Sequence, residues 1–135
     1  MKIVECYNMP AIRAFRKWVY CDELSYEEEE TEATPYLDQI GTHIVLLENE
    51  LIVGYVLIVG HTVHRLMLLR AYRTNKQALS LLINRIFQSV RPYALIMCRP
   101  ALTNLIGRCL PNIEFKKLRP ADKPNYWHYL ALEIQ

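Results

Sequence analysis

Glycine is scarce: 4 of 135 residues, so the fold cannot lean on many glycine turns. No run of about 18 apolar residues occurs, the length a membrane-spanning helix requires. The N-terminal MKIVECYNMP has neither a long apolar core nor a signal-peptide cleavage pattern. The expectation is a cytoplasmic protein with no membrane partner. None of the four cysteines (Cys6, Cys21, Cys98, Cys109) forms a C-x-x-C pair, and no histidine stands at finger spacing. This excludes the usual zinc sites, so no metal is expected and the thiols read as reduced, small apolar residues. Most unusual, from Leu51 to Ile113 there is no Asp or Glu, while Arg65, Arg70, Arg73, Lys76, Arg85, Arg91, Arg99 and Arg108 all fall inside.

The rest of the composition, 52% hydrophobic and 22% charged, is that of a globular chain, and 135 residues suit a single domain over 1–135. The formal charge of +2 hides an asymmetry. Residues 1–64 carry 4 basic and 11 acidic side chains, net −7, and residues 65–135 carry 12 basic and 3 acidic, net +9. Such a split provides a basic face for a polyanion, unless charges on separate elements interleave in space.

MKIVECY reads as a strand. MPAIRAFRKWVYCDEL comes next as an amphipathic helix, with Ile12, Phe15, Trp18 and Val19 at helical spacing. In SYEEEETEATPYLDQ, Ser25 caps a short helix whose length Pro35 limits. Two apolar runs joined by ENE give a hairpin of Thr42–Leu47 and Leu51–Val59, and HTV links to a third strand, HRLMLLRAY. A helix from about Asn75 to Val90 puts Leu79, Leu82, Ile83, Ile86, Phe87 and Val90 on one stripe. YALIMC is a wholly apolar, buried strand. PALTNLIGRCL is a short helix, and EFKKLRP and YWHYLALEI are closing strands. The fold class is α/β (mixed α+β), with about six or seven strands and about four helices in the order β-α-α-β-β-β-α-β-α-β-β. The central β-α-β unit is a parallel crossover.

The stretch YRTNKQALSLL carries the functional signal. Thr74 and Gln77 stand as T-x-x-Q, a capping box with Thr74 as N-cap. The helix's free N–H groups then point to the carboxyl end of the preceding strand, where phosphates bind in α/β sheets. Arg73 and Lys76 flank a helix start that gains nothing from cations of its own, so an anion is expected there. By this stretch and the order of elements, the chain resembles the GNAT family of acyl-CoA N-acyltransferases, whose pyrophosphate loop reads Arg/Gln-x-x-Gly-x-Gly/Ala after the fourth strand. Arg73 matches the first position and Ala78 the last. PALTNLIGRCLPNIEF is similar to a later family stretch through Asn104 and Phe115. Lys76 stands where the motif has Gly, and Glu114 replaces the Gly before the Phe. Leu110, beside Cys109, occupies the place of the family's frequent Tyr acid.

The resemblance implies a GNAT-like mixed sheet, acetyl-CoA (acyl-CoA) as cofactor, and direct transfer to an amine. Leu69, Arg70, Arg73, Thr74, Asn75, Lys76, Gln77, Ala78 and Asn104 would bind the cofactor, with Arg108 toward its adenosine end. CoA's roughly four negative charges suit the acid-free basic run. His64, at the start of its strand, is the candidate base, with His61 behind it. Tyr126 and Cys109 are the candidate acids (thiols titrate near about 8.5), and Tyr55 is a further one. Each also has a plain reading as a loop, edge or core residue. Glu27, Glu28, Glu29 and Glu30 would draw a cationic acceptor, a small amine or a basic protein, unless they form a solvated face. Aromatics on both faces of NYWHYLALEI raise a homodimer. The alternative function is a GNAT-fold binding or structural protein without catalysis, of the divergent kind found in bacteriophages. A nucleic-acid binder ranks last, because aromatics do not interleave with the basic run.

Overall fold

The computed structural model describes residues 1–24 and 35–134. Along the chain it runs β1 (Lys2–Glu5), α1 (Met9–Lys17) continued by a π-helical turn (Trp18–Glu23), α2 (Pro35–Ile40), β2 (Thr42–Glu48), β3 (Leu51–Val59) and β4 (Thr62–Leu68). A 3-10 turn (Arg70–Tyr72) then leads to α3 (Lys76–Val90), β5 (Tyr93–Cys98), α4 (Pro100–Cys109), β6 (Ile113–Pro120) and β7 (Trp127–Glu133). This is the expected mixed α+β order, with seven strands and four α-helices among the described residues. The strands form one sheet in the order β1-β2-β3-β4-β5-β7-β6. Every neighbouring pair is antiparallel except β4 and β5.

Alternation along the central strands sorts the core into two layers. Ile44, Leu46, Val56 and Leu68 face α3, whose stripe Leu79, Leu82, Ile83, Ile86, Phe87 and Val90 is buried as the spacing predicts. Val45, Tyr55, Leu57 and Met67 face α1, where Ile12, Phe15 and Val19 meet them. Gly54 makes the α3 contact close: a Cβ there would lie 2.9 Å from Leu68 Cδ2 and 3.1 Å from Leu82 Cδ1. None of the described helices is long and apolar enough to cross a membrane.

Two expectations need correction. Trp18 is not on the buried stripe of the first helix; it is 55% exposed, and Arg16 is buried instead. The helix loosens into a π turn at Trp18, closed by Leu24 N–H donating to Val19 C=O at 3.0 Å, which shifts the register of the residues beyond it. Pro35 begins α2, where its missing N–H costs nothing; the short helix expected before it lies outside the described residues. The β2–β3 connection is a two-residue turn, Asn49 and Glu50, both at positive φ (52° and 65°), so Glu48 still belongs to the strand. Ser25 lies outside the described residues.

Candidate functional site

β4 and β5 pair at only two positions, Thr62↔Leu95 and Val63↔Ile96, and then part. The divergence begins at an extra residue in β4. Leu57 of β3 faces Arg65 and its neighbour Ile58 faces Val63, so His64 has no partner across the ladder. Such a bulge bends and twists its strand and re-aims the side chain at that point. His64 is therefore inside β4, not at its start. The parted strands leave a cavity of about 340 Å³, walled by Tyr20 and Leu24 of the first helix, Arg65 and Leu68 of β4, and Cys98 and Leu102 beyond the gap. His64 also borders a second hollow of about 510 Å³ that includes Met97, Leu118 and His128.

Charge on the cavity wall has one sign. Among the described residues it carries His64, Arg65, Arg73, Arg99 and Lys123, and no carboxylate. Partial burial, and then the Arg65 charge, lower the His64 pKa below its ordinary value, so the imidazole is neutral at pH 7. Tyr126 reaches the wall from a tight loop. Ala121 N–H donates to its carbonyl at 2.9 Å, its own N–H donates to Lys123 C=O at 3.2 Å, and Asn125 takes the left-handed conformation (φ 67°) between them. The Arg99 guanidinium and the Lys123 ammonium lie 5.4 Å and 4.7 Å from the Tyr126 ring centroid. Burial pushes the Cys98 thiol up to about 12, which leaves it protonated and unreactive.

The turn from β4 into α3 differs in detail from its sequence reading. The N-cap is Asn75, not Thr74: its Oδ1 accepts from Ala78 N–H at 3.0 Å, and the helix starts at Lys76. Asn fits the cap as well as Thr does, and the T-x-x-Q match lay one residue too early. Thr74, Lys76 and Gln77 are exposed and Ala78 is buried. Leu69 N–H turns toward β3 and donates to Val53 C=O at 3.0 Å. Because successive residues of a strand alternate sides, the backbone groups facing the gap belong to Leu68 and Arg70. Glu23 and Arg73 occupy them. Glu23 accepts from Arg70 N–H at 3.0 and 3.2 Å, and Arg73 Nε donates to Leu68 C=O at 3.1 Å. The two side chains pair with each other at 2.8 Å, and the Arg70 guanidinium donates to the Glu23 carbonyl at 2.6 Å.

The structure thus brings His64, Arg73 and Tyr126 to one cavity. Asn104 and Arg108 sit four residues apart on α4, both exposed and neither on the cavity wall. Cys109 packs against the α3-side core, and His61 stacks on Tyr93 with centroids 4.3 Å apart. Glu27, Glu28, Glu29 and Glu30 lie outside the described residues. Sequence reasoning did not assign Glu23, Arg65, Arg99 or Lys123 to the site. The basic run contained Arg65 and Arg99, but no local signal singles out Glu23, which meets Arg73 fifty residues away.

Beside the cavity, under α1, lies a buried polar cluster. Arg16 donates to both Asp38 oxygens at 2.7 and 2.8 Å and also to the Tyr55 hydroxyl. His43 meets the same hydroxyl through Nδ1 at 2.6 Å and the Asp38 carbonyl through Nε2 at 2.8 Å. Burial works to raise the Asp38 pKa, but Arg16 overrides it and holds the carboxyl below its ordinary value. Burial raises Tyr55 to about 12 against the pull of Arg16. Tyr55 is thus a structural partner inside the core rather than an acid on the cavity wall.

No family model and no curated protein matches this sequence. Solved structures do. An acyl-CoA N-acyltransferase from Pseudomonas aeruginosa is similar with TM-score 0.69 at 11% identity over 100% of both chains. Escherichia coli ElaA is similar with TM-score 0.69 at 13% identity, over 98% of this chain and 99% of that one. An aminoglycoside 6'-N-acetyltransferase complexed with coenzyme A is similar with TM-score 0.68 at 11% identity, over 100% of this chain and 98% of that one. Across its whole length the chain has the GNAT fold of the acyl-CoA N-acyltransferases.

Proposed function

We propose that this protein transfers an acyl group, in the first instance acetyl, from CoA to an amine. The observation that carries the reading is the parted edge of β4. Leu68 C=O and Arg70 N–H face a gap that ends in a cavity beside a neutral histidine. A strand edge of this kind takes an extended chain of amides, and the pantetheine arm of CoA has two. The residues present fit the rest of the molecule. The N–H groups of Lys76 and Gln77 at the start of α3, with Lys76 and Arg73 beside them, provide donors and charge for a pyrophosphate. Lys76 takes the place of a glycine and adds a cation where the glycine would have allowed closer approach. When bound, CoA supplies the acyl group as a thioester.

The chain's part is positioning and proton movement. His64 accepts the proton of the incoming ammonium, which frees the amine lone pair for attack on the thioester carbon. The C–N bond would form as the C–S bond breaks; the Tyr126 hydroxyl would give a proton to the departing thiolate, and the second proton shed by the nitrogen would restore that hydroxyl. Arg65 and Arg99 would meet an anionic group on the acceptor, and the acidic Glu27–Glu30 stretch would draw a cationic one. The acceptor panel therefore spans polyamines, basic peptides and amino acids.

The test is calorimetry with acetyl-CoA and CoA, followed by thiol release with each acceptor. Micromolar binding and acceptor-dependent thiol release are expected; no binding up to millimolar, by the wild type or by Glu23→Ala in which Arg73 is released, overturns the reading. One observation favours a second reading, a GNAT-fold binding protein without catalysis. Arg73 is engaged by Glu23 and Asn75 is spent as a cap, so two residues of the loop are committed to the protein's own structure. CoA binding with no thiol release for any amine would select it.

A further inference from the structure

The far end of the backbone edge that β5 abandons is not left open. Beyond Val63, the groups on that side of β4 have no strand partner among the described residues, and unmade backbone hydrogen bonds are costly where water is scarce. Glu23 and Arg73 make the bonds a strand would have made. A carboxylate takes Arg70 N–H and a guanidinium takes Leu68 C=O, and the two are ion-paired at 2.8 Å. Each side chain therefore holds one half of a two-point pattern, an acceptor on the N–H and a donor on the C=O. Two successive amides of an extended ligand, one giving its N–H and the next its C=O, would present the same pattern. The Glu23 side chain is 14% exposed and that of Arg73 33%, so the carboxylate is the more sheltered end of the pair.

We propose that Glu23 and Arg73 form an internal plug that mimics the paired N–H and C=O of an extended ligand at the parted end of β4 and must be displaced before acyl-CoA binds. The proposal rests on the acyl-CoA reading for the identity of that ligand. Displacement frees the Arg73 guanidinium to turn toward a phosphate, so the same cation serves the closed and the bound state. Binding is then taxed by the fraction of molecules that are unplugged. The apparent Kd equals the intrinsic Kd divided by that fraction, and any change that opens the plug raises affinity without adding a contact to the ligand.

The experiment is calorimetry of CoA binding to the full-length wild type, Glu23→Ala, Glu23→Gln and the double variant Glu23→Ala/Arg73→Ala, with thermal unfolding of each. Removing a charge-assisted pair should tighten CoA binding by about tenfold in Glu23→Ala. The gain should be smaller in Glu23→Gln, whose amide oxygen still reaches Arg70 N–H, and lost in the double variant. If Glu23→Ala does not unfold cooperatively, Glu23→Gln carries the comparison. Binding by Glu23→Ala where wild type shows none also supports the plug. Wild-type binding with equal or weaker binding by both Glu23 variants overturns the plug and leaves the acyl-CoA reading standing. No binding by any of the four proteins up to millimolar overturns both.

Discussion

His64 owes its position to one unpaired residue in β4, and its chemistry to two neighbours, the partly buried wall and Arg65. A lowered imidazole pKa means the base form already dominates at pH values where an ordinary histidine, near 6.5, is half protonated. The rate should therefore hold as pH falls to 6.5 and drop only below it. His64→Gln should remove that acid limb and lower kcat/KM by about 100-fold, with CoA affinity unchanged; a retained limb would assign the base elsewhere. Asp38 makes the opposite kind of statement. Its folded-state pKa is depressed, so its contribution to stability is full above the unfolded value near 3.9 and is lost as pH falls through the lower folded value. Asp38→Asn leaves Arg16 buried without its counter-ion and should cost about 3–5 kcal/mol at neutral pH. The variant should also show less pH dependence of stability in that acid window, measured by urea unfolding. Neither side chain declares itself in the sequence. A histidine in a strand and a carboxylate in a short helix look ordinary until the bulge and the buried Arg16 give them their surroundings.

Helix stripes were the most legible features, because periodicity is a property of local chain geometry. The stripe of α3 was readable from spacing alone, whereas the apolar run of β5 marked a strand but not its burial, since Tyr93 and Met97 are exposed. Spacing missed shifts of one residue. The cap moved from Thr74 to Asn75 because both types can accept from a helix N–H and only geometry chooses between them. Asn75→Ala should cost about 1 kcal/mol, and Thr74→Ala only a few tenths, by thermal melting. Equal losses would return the cap to Thr74. The hairpin offers a gain. Glu50 holds φ at 65° without being glycine, and its ion pair with Lys2 is long, at 3.7 Å, and exposed. Glu50→Gly should therefore raise stability by about 1 kcal/mol, and a fall in Tm would show that the exposed pair matters more than the strain.

At the scale of the molecule, the order of elements was legible, but the acidic and basic halves of the sequence interleave in space, Glu23 pairing with Arg73 and Glu5 with Arg85. The closing of the parted edge by a pair fifty residues apart was not legible, since no local pattern encodes it. The same parting raises a question about cooperativity. Only two residue pairs join β4 to β5, so the β1–β4 and β5–β7–β6 halves of the sheet could come apart separately. α3 opposes that by packing on β3 and on β5, with Leu79 through Val90 in one core shared by both halves. Burial of that common layer outweighs a gap in the ladder, because buried apolar area contributes about 25 cal/mol per Å², while a typical hydrogen bond nets only about 1 kcal/mol. The chain should then unfold as one unit, as chains of this size generally do. The two tryptophans test this, since Trp18 sits on the α1 side of the β1–β4 half and Trp127 lies in β7. Urea unfolding tracked by the fluorescence of Trp18→Phe and of Trp127→Phe should give midpoints that coincide with far-ultraviolet circular dichroism of the same variants. A lower midpoint for the Trp127 signal would mean that the parted strands divide the molecule into two folding units and that α3 does not bind them together.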